Sequence, residues 1–285
     1  MKVVSFNIQY GFGLDGVCDL DRIAEVVRDA DIIGFQEVTR NLPKNAFLDM
    51  PARLMELLPD FHLAFGPGAD VDYRPAGAAG APSGRLQFGN MVLSRYPILS
   101  LRNLLLPRSR TYGELNLQRA ALEALIDAPE GPIRVYSTHL DHRDPDERIR
   151  QIAYLKDRAV LHGVEGGGVT GGGEFGFPDL PHTDDYLILG DFNMMPETPD
   201  YIAMAGRIDP YYGRTPRATT PVDSLAFLGA RQPDDYSWEE PGKPEVRQYL
   251  DYIFASATLT PRLKRGWTDM ACIASDHKPV WLEMD

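Results

Sequence analysis

Short apolar runs rich in β-branched residues recur along the whole chain with few helical stretches between them, and this pattern limits the possible folds more than any other feature. Residues 2–8, 31–36, 61–65, 86–94, 98–106, 119–126, 132–138, 186–190, 248–255 and 278–284 read as strands. Helical spacing of apolar residues follows Asp19 (Ile23, Val26, Val27). It recurs over 46–58 (Phe47, Met50, Leu54, Leu57, Leu58), where Pro59 closes the helix, and from Asp144-Pro145 to about 161. Shorter helical turns are expected near 198–205 and 222–228. So many strands with so few helices predict two sheets packed face to face, helices outside them, and strand-end loops gathered at one edge. Residues 67–84, rich in Gly, Ala, Pro and Asp, read as a long mobile loop, and 163–185, with two glycine triplets, as a flexible insertion. Both are read as excursions from one domain covering 1–285, because the flanking segments are not self-sufficient.

A chain of 285 residues, 44% hydrophobic, buries a core without staples. Cys18 and Cys272 are too few for a disulfide scaffold or a thiolate zinc site and read as free thiols. No run approaches the ~18 consecutive apolar residues of a membrane span. The chain opens directly on a strand without a leader-like segment, so a cytoplasmic monomer is the expectation. The net charge of −12 disfavours long nucleic acid, whose binding rests on Lys and Arg displacing counterions, although a bound metal can supply a local positive field.

Chemistry-bearing residues fall where apolar strands end. Asn7 closes Ser5-Phe6-Asn7, and alone it is a turn former. Glu37 closes Ile32-Ile33-Gly34-Phe35-Gln36-Glu37, placing a carboxylate where a buried strand emerges. Tyr136-Ser137-Thr138-His139-Leu140-Asp141-His142-Arg143 ends in two imidazoles, a carboxylate and a guanidinium, a density suited to metal or phosphate. Leu187-Ile188-Leu189-Gly190-Asp191-Phe192-Asn193 places Asp191 and Asn193 two apart, so they project the same way from an extended chain; an Asx turn is the alternative. Asp251 interrupts the apolar run Tyr249–Phe254 and needs a partner, for which His277 in Ser275-Asp276-His277-Lys278 is the natural choice. Were Glu37, Asp191, Asp251 and Asp276 to converge, two carboxylates 4 Å apart would repel by about 4 kcal/mol at an effective dielectric of ~20. A divalent cation offsets this, and oxygen ligands favour Mg²⁺ or Mn²⁺ over zinc.

Taken in order, SFN, QEV, GNMVLSRYP, QRA, STHLD, GDFN, LDYIF and SDHKP resemble the endonuclease/exonuclease/phosphatase superfamily from Asn7 to His277. That group includes exonuclease III-type apurinic endonucleases, inositol polyphosphate 5-phosphatases, neutral sphingomyelinases, deadenylases and tyrosyl-DNA phosphodiesterase 2. The resemblance implies a DNase I-like α/β fold, a four-layered sandwich of two mixed sheets flanked by helices. It further implies a Mg²⁺-dependent phosphoric ester hydrolase. Glu37 resembles the principal metal ligand, with Asn7 and Asp276 nearby. Asp191 resembles the residue that orients or deprotonates water, Asn193 the one that holds the phosphate, and His277, paired with Asp251, the group that stabilises the transition state. His139 would touch a phosphate oxygen, and Arg119 and Asn90 would lie on the substrate side. Gln9 stands where apurinic endonucleases carry an Asp, and Thr138-His139-Leu140 departs from their Tyr-x-Pro-Asn segment.

Hydrolysis of a phosphodiester or phosphomonoester in a small molecule, lipid headgroup or nucleotide is therefore the leading expectation. A nuclease acting on DNA or RNA is the alternative, and a catalytically silent binding module is disfavoured because Glu37, Asp191 and His277 are all present. Specificity is expected in 67–84, 163–185 and 207–245, whose Tyr211, Tyr212, Tyr236 and Trp238 are suited to stacking on a base or sugar.

Overall fold

The computed structural model describes residues 1–73 and 84–285. The first half contains β1 (Lys2–Asn7), α1 (Leu20–Val27), β2 (Ile32–Arg40), α2 (Met50–Leu57), β3 (His62–Tyr73), β4 (Gly84–Ser94), β5 (Ile98–Leu105), β6 (Ala120–Ala128) and β7 (Gly131–His139). Then follow α3 (Pro145–Val160), α4 (His162–Glu165), β8 (Tyr186–Asp191), α5 (Pro199–Ala205), β9 (Val222–Asp223) and α6 (Ser224–Phe227). The chain ends with β10 (Trp238–Glu240), β11 (Lys243–Gln248), β12 (Asp251–Ala255), β13 (Leu263–Thr268) and β14 (Val280–Met284). The three longest helices start where a carboxylate satisfies a free backbone N–H: Asp19 accepts from Arg22, Asp49 from Ala52 and Asp144 from Asp146. No helix among the described residues is long and apolar enough to cross a membrane.

Two six-stranded mixed sheets form, ordered β13-β14-β1-β2-β4-β3 and β5-β6-β7-β8-β12-β9. Each is antiparallel except for one central parallel pair, β1–β2 in the first and β7–β8 in the second. Alternation along the strands sends Val3, Ile32, Val92, Val135, Leu189 and Ile253 into the space between the sheets. The opposite faces receive helices: Val4, Phe6 and Phe35 pack on Ile23 and Leu54, while Tyr136, Ile188 and Phe254 pack on Ile152, Leu155 and Tyr201. The four layers are thus helix, sheet, sheet, helix. The sheets approach closely at Gly34, where an added Cβ would lie 2.7 Å from a methyl of Leu189.

Register then fixes which polar groups meet. Asp191 at the end of β8 pairs with His139 at the end of β7 on one side and with Asp251 at the start of β12 on the other. Asn7 ends β1 in the facing sheet. Backbone register therefore brings His139, Asp191 and Asp251 to one edge of the sandwich, and packing of the two sheets adds Asn7.

Several expectations change. Pro67 to Tyr73 is strand and not loop: it extends β3 against β4 in register from Ala69↔Phe88 to Tyr73↔Gly84, and Arg85 bridges to Asp70. Pro67 is accommodated because the pairing shifts between Pro67 and Ala69, where no ladder N–H is required. Residues 74–83 of the expected loop lie outside the described residues. The strand expected over 248–255 is two elements, with Gln248 ending β11 and Asp251 beginning β12. The helix expected over 46–58 starts at Met50, since Ala46 and Phe47 are left-handed, and Phe47 is exposed. Residues 163–185 add a four-residue α4 and one 3-10 turn at Gly173–Phe175, and no strand.

Candidate active site

Local backbone geometry aims the side chains. The pairing of β2 with β4 shifts between Phe35 and Val38, and within that bulge Glu37 takes φ 59°. A non-glycine residue in the left-handed region is held there by its surroundings, and the bulge swings the carboxylate off the ladder. Gln9 and Asn193 share the property, with φ 40° and 50°. Asn193 closes an Asx turn, its backbone N–H donating to Asp191 Oδ1 at 2.9 Å and its Nδ2 to the Leu140 carbonyl at 3.1 Å. Gly190 is obligatory: a Cβ there would fall 2.4 Å from the Thr138 carbonyl oxygen.

Asp191 is the hub. Its Oδ2 accepts from Asn7 Nδ2 at 3.0 Å and lies 3.3 Å from His139 Nε2 and 3.6 Å from His277 Nε2. His277 Nδ1 donates to Asp251 Oδ2 at 2.8 Å, which supplies the partner that the buried Asp251 requires. Ser237 Oγ fixes the start of β12 by accepting from the backbone N–H groups of Leu250 and Asp251 at 2.7 and 2.9 Å. Asp276 faces the same space. Its Oδ2 accepts from Gln9 Nε2 at 2.6 Å and from Trp238 Nε1 at 3.3 Å, and its Oδ1 from Ser275 Oγ at 3.2 Å.

The electrostatics follow from crowding under cover. Burial, reinforced by the Asp276 carboxylate, pushes the Glu37 carboxyl up to about 7. Burial raises Asp276 as well. Burial opposes charging His277, yet the carboxylates of Asp251 and Asp191 outweigh it and hold the imidazole well above its ordinary range. His139 is driven the other way by burial and by Arg119, so it is neutral at physiological pH. Two imidazoles beside one carboxylate are thus set to opposite charge states.

Glu37 accepts no hydrogen bond among the described residues, and its Oε1 lies 3.9 Å from His139 Nδ1. An undonated carboxylate facing Asp276 and Asp191 suits a hard divalent cation. Asp191, Asp251 and His277 also bring ligand atoms within 4.8 Å of one another. The His277–Asp251 hydrogen bond accounts for that closeness and commits Nδ1 and Oδ2 to each other. The Glu37–Asp276 side could therefore hold a metal with less rearrangement.

These groups line a cleft of about 410 Å³, with Arg119, His142, Asn193, Trp238 and Gln248 in its walls. Arg119 is buried, and Nη2 bonds Nδ1 of His142 at 3.2 Å. Burial and the neighbouring guanidinium depress His142, leaving a neutral ring that accepts. Asn90 donates to the Ala120 carbonyl at 2.8 Å and lines a small recess that shares Phe88, Arg119 and His139 with the main cleft. Of the four aromatics proposed for stacking, Trp238 reaches the cleft. Tyr211 and Tyr212 lie exposed beside a different pocket at α5 and α6, and Tyr236 bonds Glu239. Sequence reasoning missed the hold of Gln9 and Trp238 on Asp276 and of Ser237 on Asp251. The bare amide, indole and hydroxyl carried no local signal; their partners are 267, 38 and 14 residues away.

The sequence profile of the Endonuclease/Exonuclease/phosphatase family matches residues 4–277. The chain belongs to this family. Its members hydrolyse phosphate esters, and family hydrolases generally use a divalent metal, which the acidic cleft accommodates. No curated protein matches the sequence significantly. Among solved structures, an endonuclease/exonuclease/phosphatase from Beutenbergia cavernae is 23% identical, covering 99% of this chain and 70% of that one at a TM-score of 0.64. A mannosyl-6-phosphatase from Bacteroides thetaiotaomicron is 17% identical over 100% of this chain and 99% of its own, with a TM-score of 0.65. The human Nocturnin catalytic domain with bound sulfate is 19% identical over 99% and 93%, with a TM-score of 0.58. At these identities the likeness is one of fold.

Proposed function

We propose that this chain hydrolyses a phosphomonoester or phosphodiester of a small molecule, lipid headgroup or nucleotide by in-line attack of water, with Mg²⁺ or Mn²⁺ at Glu37, Asn7 and Asp276. The observation that carries this reading is the convergence, in one cleft, of an undonated carboxylate at Glu37, a fixed carboxylate at Asp191 and a cationic imidazole at His277. The metal, when bound, neutralises phosphate charge and lowers the barrier to departure of the leaving oxygen.

The remaining work belongs to the chain. Asp191, held by Asn7 and the Asn193 backbone, orients the water and takes its proton. Asn193 and neutral His139 donate to phosphate oxygens. His277, kept cationic by Asp251, presents Nε2 to the charge that grows on those oxygens in the transition state. Arg119 binds the phosphoryl group. Positioning and charge neutralisation suffice for displacement at phosphorus, so no covalent intermediate is required.

A panel of a mono-ester, a bis-ester, sphingomyelin, single-stranded RNA and abasic DNA, each with Mg²⁺, Mn²⁺ or EDTA, tests the reading. Metal-dependent turnover of a small ester, abolished in His277→Ala, is expected. Absence of turnover on every arm by a natively folded protein would overturn it, and nicking or trimming of nucleic acid alone would establish the nuclease instead.

A further inference from the structure

The cleft that holds Glu37 and His277 has two unlike sides. Carboxylates, amides and imidazoles meet at one part of it, whereas Tyr10, Phe88, Leu115, Leu117, Trp238 and Leu250 give its walls a large carbon surface, interrupted by the exposed His142 and Gln248. Arg119 is the one Lys or Arg lining the cleft among the described residues. Ligands that carry several phosphates are gripped by several cationic side chains, whether along a nucleic-acid backbone or around a polyphosphate. A single guanidinium matches a single phosphoryl group. Carbon-rich walls beside a polar part match an organic group that prefers to leave water.

The wall is built, not incidental. Leu115 and Leu117 lie on segment 106–119, which joins β5 to β6, and Leu115 is 64% exposed. That segment is fastened to the start of α3. Glu147, itself buried, accepts from the Ser109 backbone N–H at 2.7 Å and from Asn116 Nδ2 at 3.5 Å. Gln151 Nε2 donates to the Pro107 carbonyl at 3.1 Å, and Arg143 Nε to the Leu115 carbonyl at 3.2 Å. The segment ends at Arg119, which His142 holds from the same side. One face of the molecule therefore positions both the apolar wall and the cation, and a wall fixed in advance loses little entropy on binding.

Resting on the phosphoesterase reading above, we propose that segment 106–119 selects esters in which one phosphoryl group is joined to an apolar, planar organic group. Leu115 and Leu117 contact the organic group and Arg119 contacts the phosphoryl oxygens. Polyphosphates are disfavoured for want of further cations in the cleft wall.

Non-hydrolysable phosphonates separate this preference from leaving-group reactivity. Phenylphosphonate, methylphosphonate, tripolyphosphate and inorganic phosphate are titrated calorimetrically into the full chain with Mg²⁺. Phenylphosphonate is expected to bind at least about tenfold tighter than methylphosphonate, and tighter than tripolyphosphate. Leu115→Asn, a change at an exposed position, should shrink the phenyl-to-methyl ratio to within about threefold while leaving inorganic phosphate affinity unchanged. Equal binding of the two phosphonates, a ratio untouched by both Leu115→Asn and Leu117→Ala, or tightest binding of tripolyphosphate would overturn the proposal. Those results together with ester turnover would refute the preference alone. Failure of inorganic phosphate to bind, with no turnover of any ester, would remove the phosphoesterase reading and this proposal with it.

Discussion

Both oxygens of Asp191 are already engaged, Oδ2 by Asn7 and the two imidazoles nearby, Oδ1 by the Asn193 backbone. A side chain so fixed acts through its charge and its place, so Asp191→Asn keeps the shape and removes the base. Turnover of the preferred ester should fall by roughly 10²–10⁴-fold with KM within a few-fold of wild type, the pattern of a group that matters in the transition state. A raised KM with kcat unchanged in steady-state assays would instead make Asp191 a binding residue. Asp191, Asp251 and His139 could be singled out because each interrupts or ends an apolar strand and burying a charge without a partner is expensive, and His277 because Asp251 needed such a partner. The amide of Gln9 was not legible in the same way. Read as the loss of a carboxylate, it turns out to donate to Asp276, a contact that joins the first loop to the last and has no trace in either local sequence.

Elements carry the second level of information. The ten expected strands could be read because a strand covered on both faces, such as β8 or β12, keeps a continuous apolar run and one covered on a single face keeps its alternation. The ribbon β10–β11 could not be read, since Lys243–Gln248 is almost wholly exposed and charged, and β13 is broken by Lys264, Arg265 and Gly266. These strands form by pairing with neighbours, and a single strand's sequence does not record its neighbour. The contact between the sheets is testable at Gly34. Gly34→Ala drives a methyl into Leu189 and should cost about 1–3 kcal/mol in urea unfolding. Adding Leu189→Ala opens the space, so the double variant should be more stable than the summed losses by about 1 kcal/mol. Strict additivity would mean that the sheets adjust apart. Glu147 gives the matching test on the outer face. Glu147→Ala releases Ser109 and Asn116, so amide exchange over 107–118 should quicken selectively. Unchanged protection there would show that Gln151 and Arg143 hold the segment alone.

At the scale of the whole molecule, the acidic cleft sets function against stability. Glu37 has an ordinary carboxyl pKa of 4.5 in the unfolded chain and about 7 when folded. The folded state thus holds more protons across that window, and the metal-free protein loses stability as pH rises through it. The full shift would be worth about 3 kcal/mol, and partial solvent contact reduces this to about 2 kcal/mol. His162 pulls the other way: burial lowers it from 6.5 to about 4, so its contribution is lost as pH falls through that range. The two oppose each other between about pH 4.5 and 6.5. Above that the opposition from His162 is gone and the Glu37 penalty is fully developed by pH 8, which makes pH 8 the place to look for it. Glu37→Gln removes the charge while keeping the volume. In EDTA at pH 8 the variant should melt a few degrees above wild type, roughly 2–6 °C. Added Mg²⁺ should raise the wild-type midpoint and leave the variant where it was, because the cation's stabilisation depends on the ligand that the mutation removes. At pH 5, where Glu37 is already protonated in the folded state, wild type and variant should melt together. A variant that gains nothing at pH 8 and still responds to Mg²⁺ would place the cation away from Glu37, on the Asp191–Asp251–His277 side of the cleft.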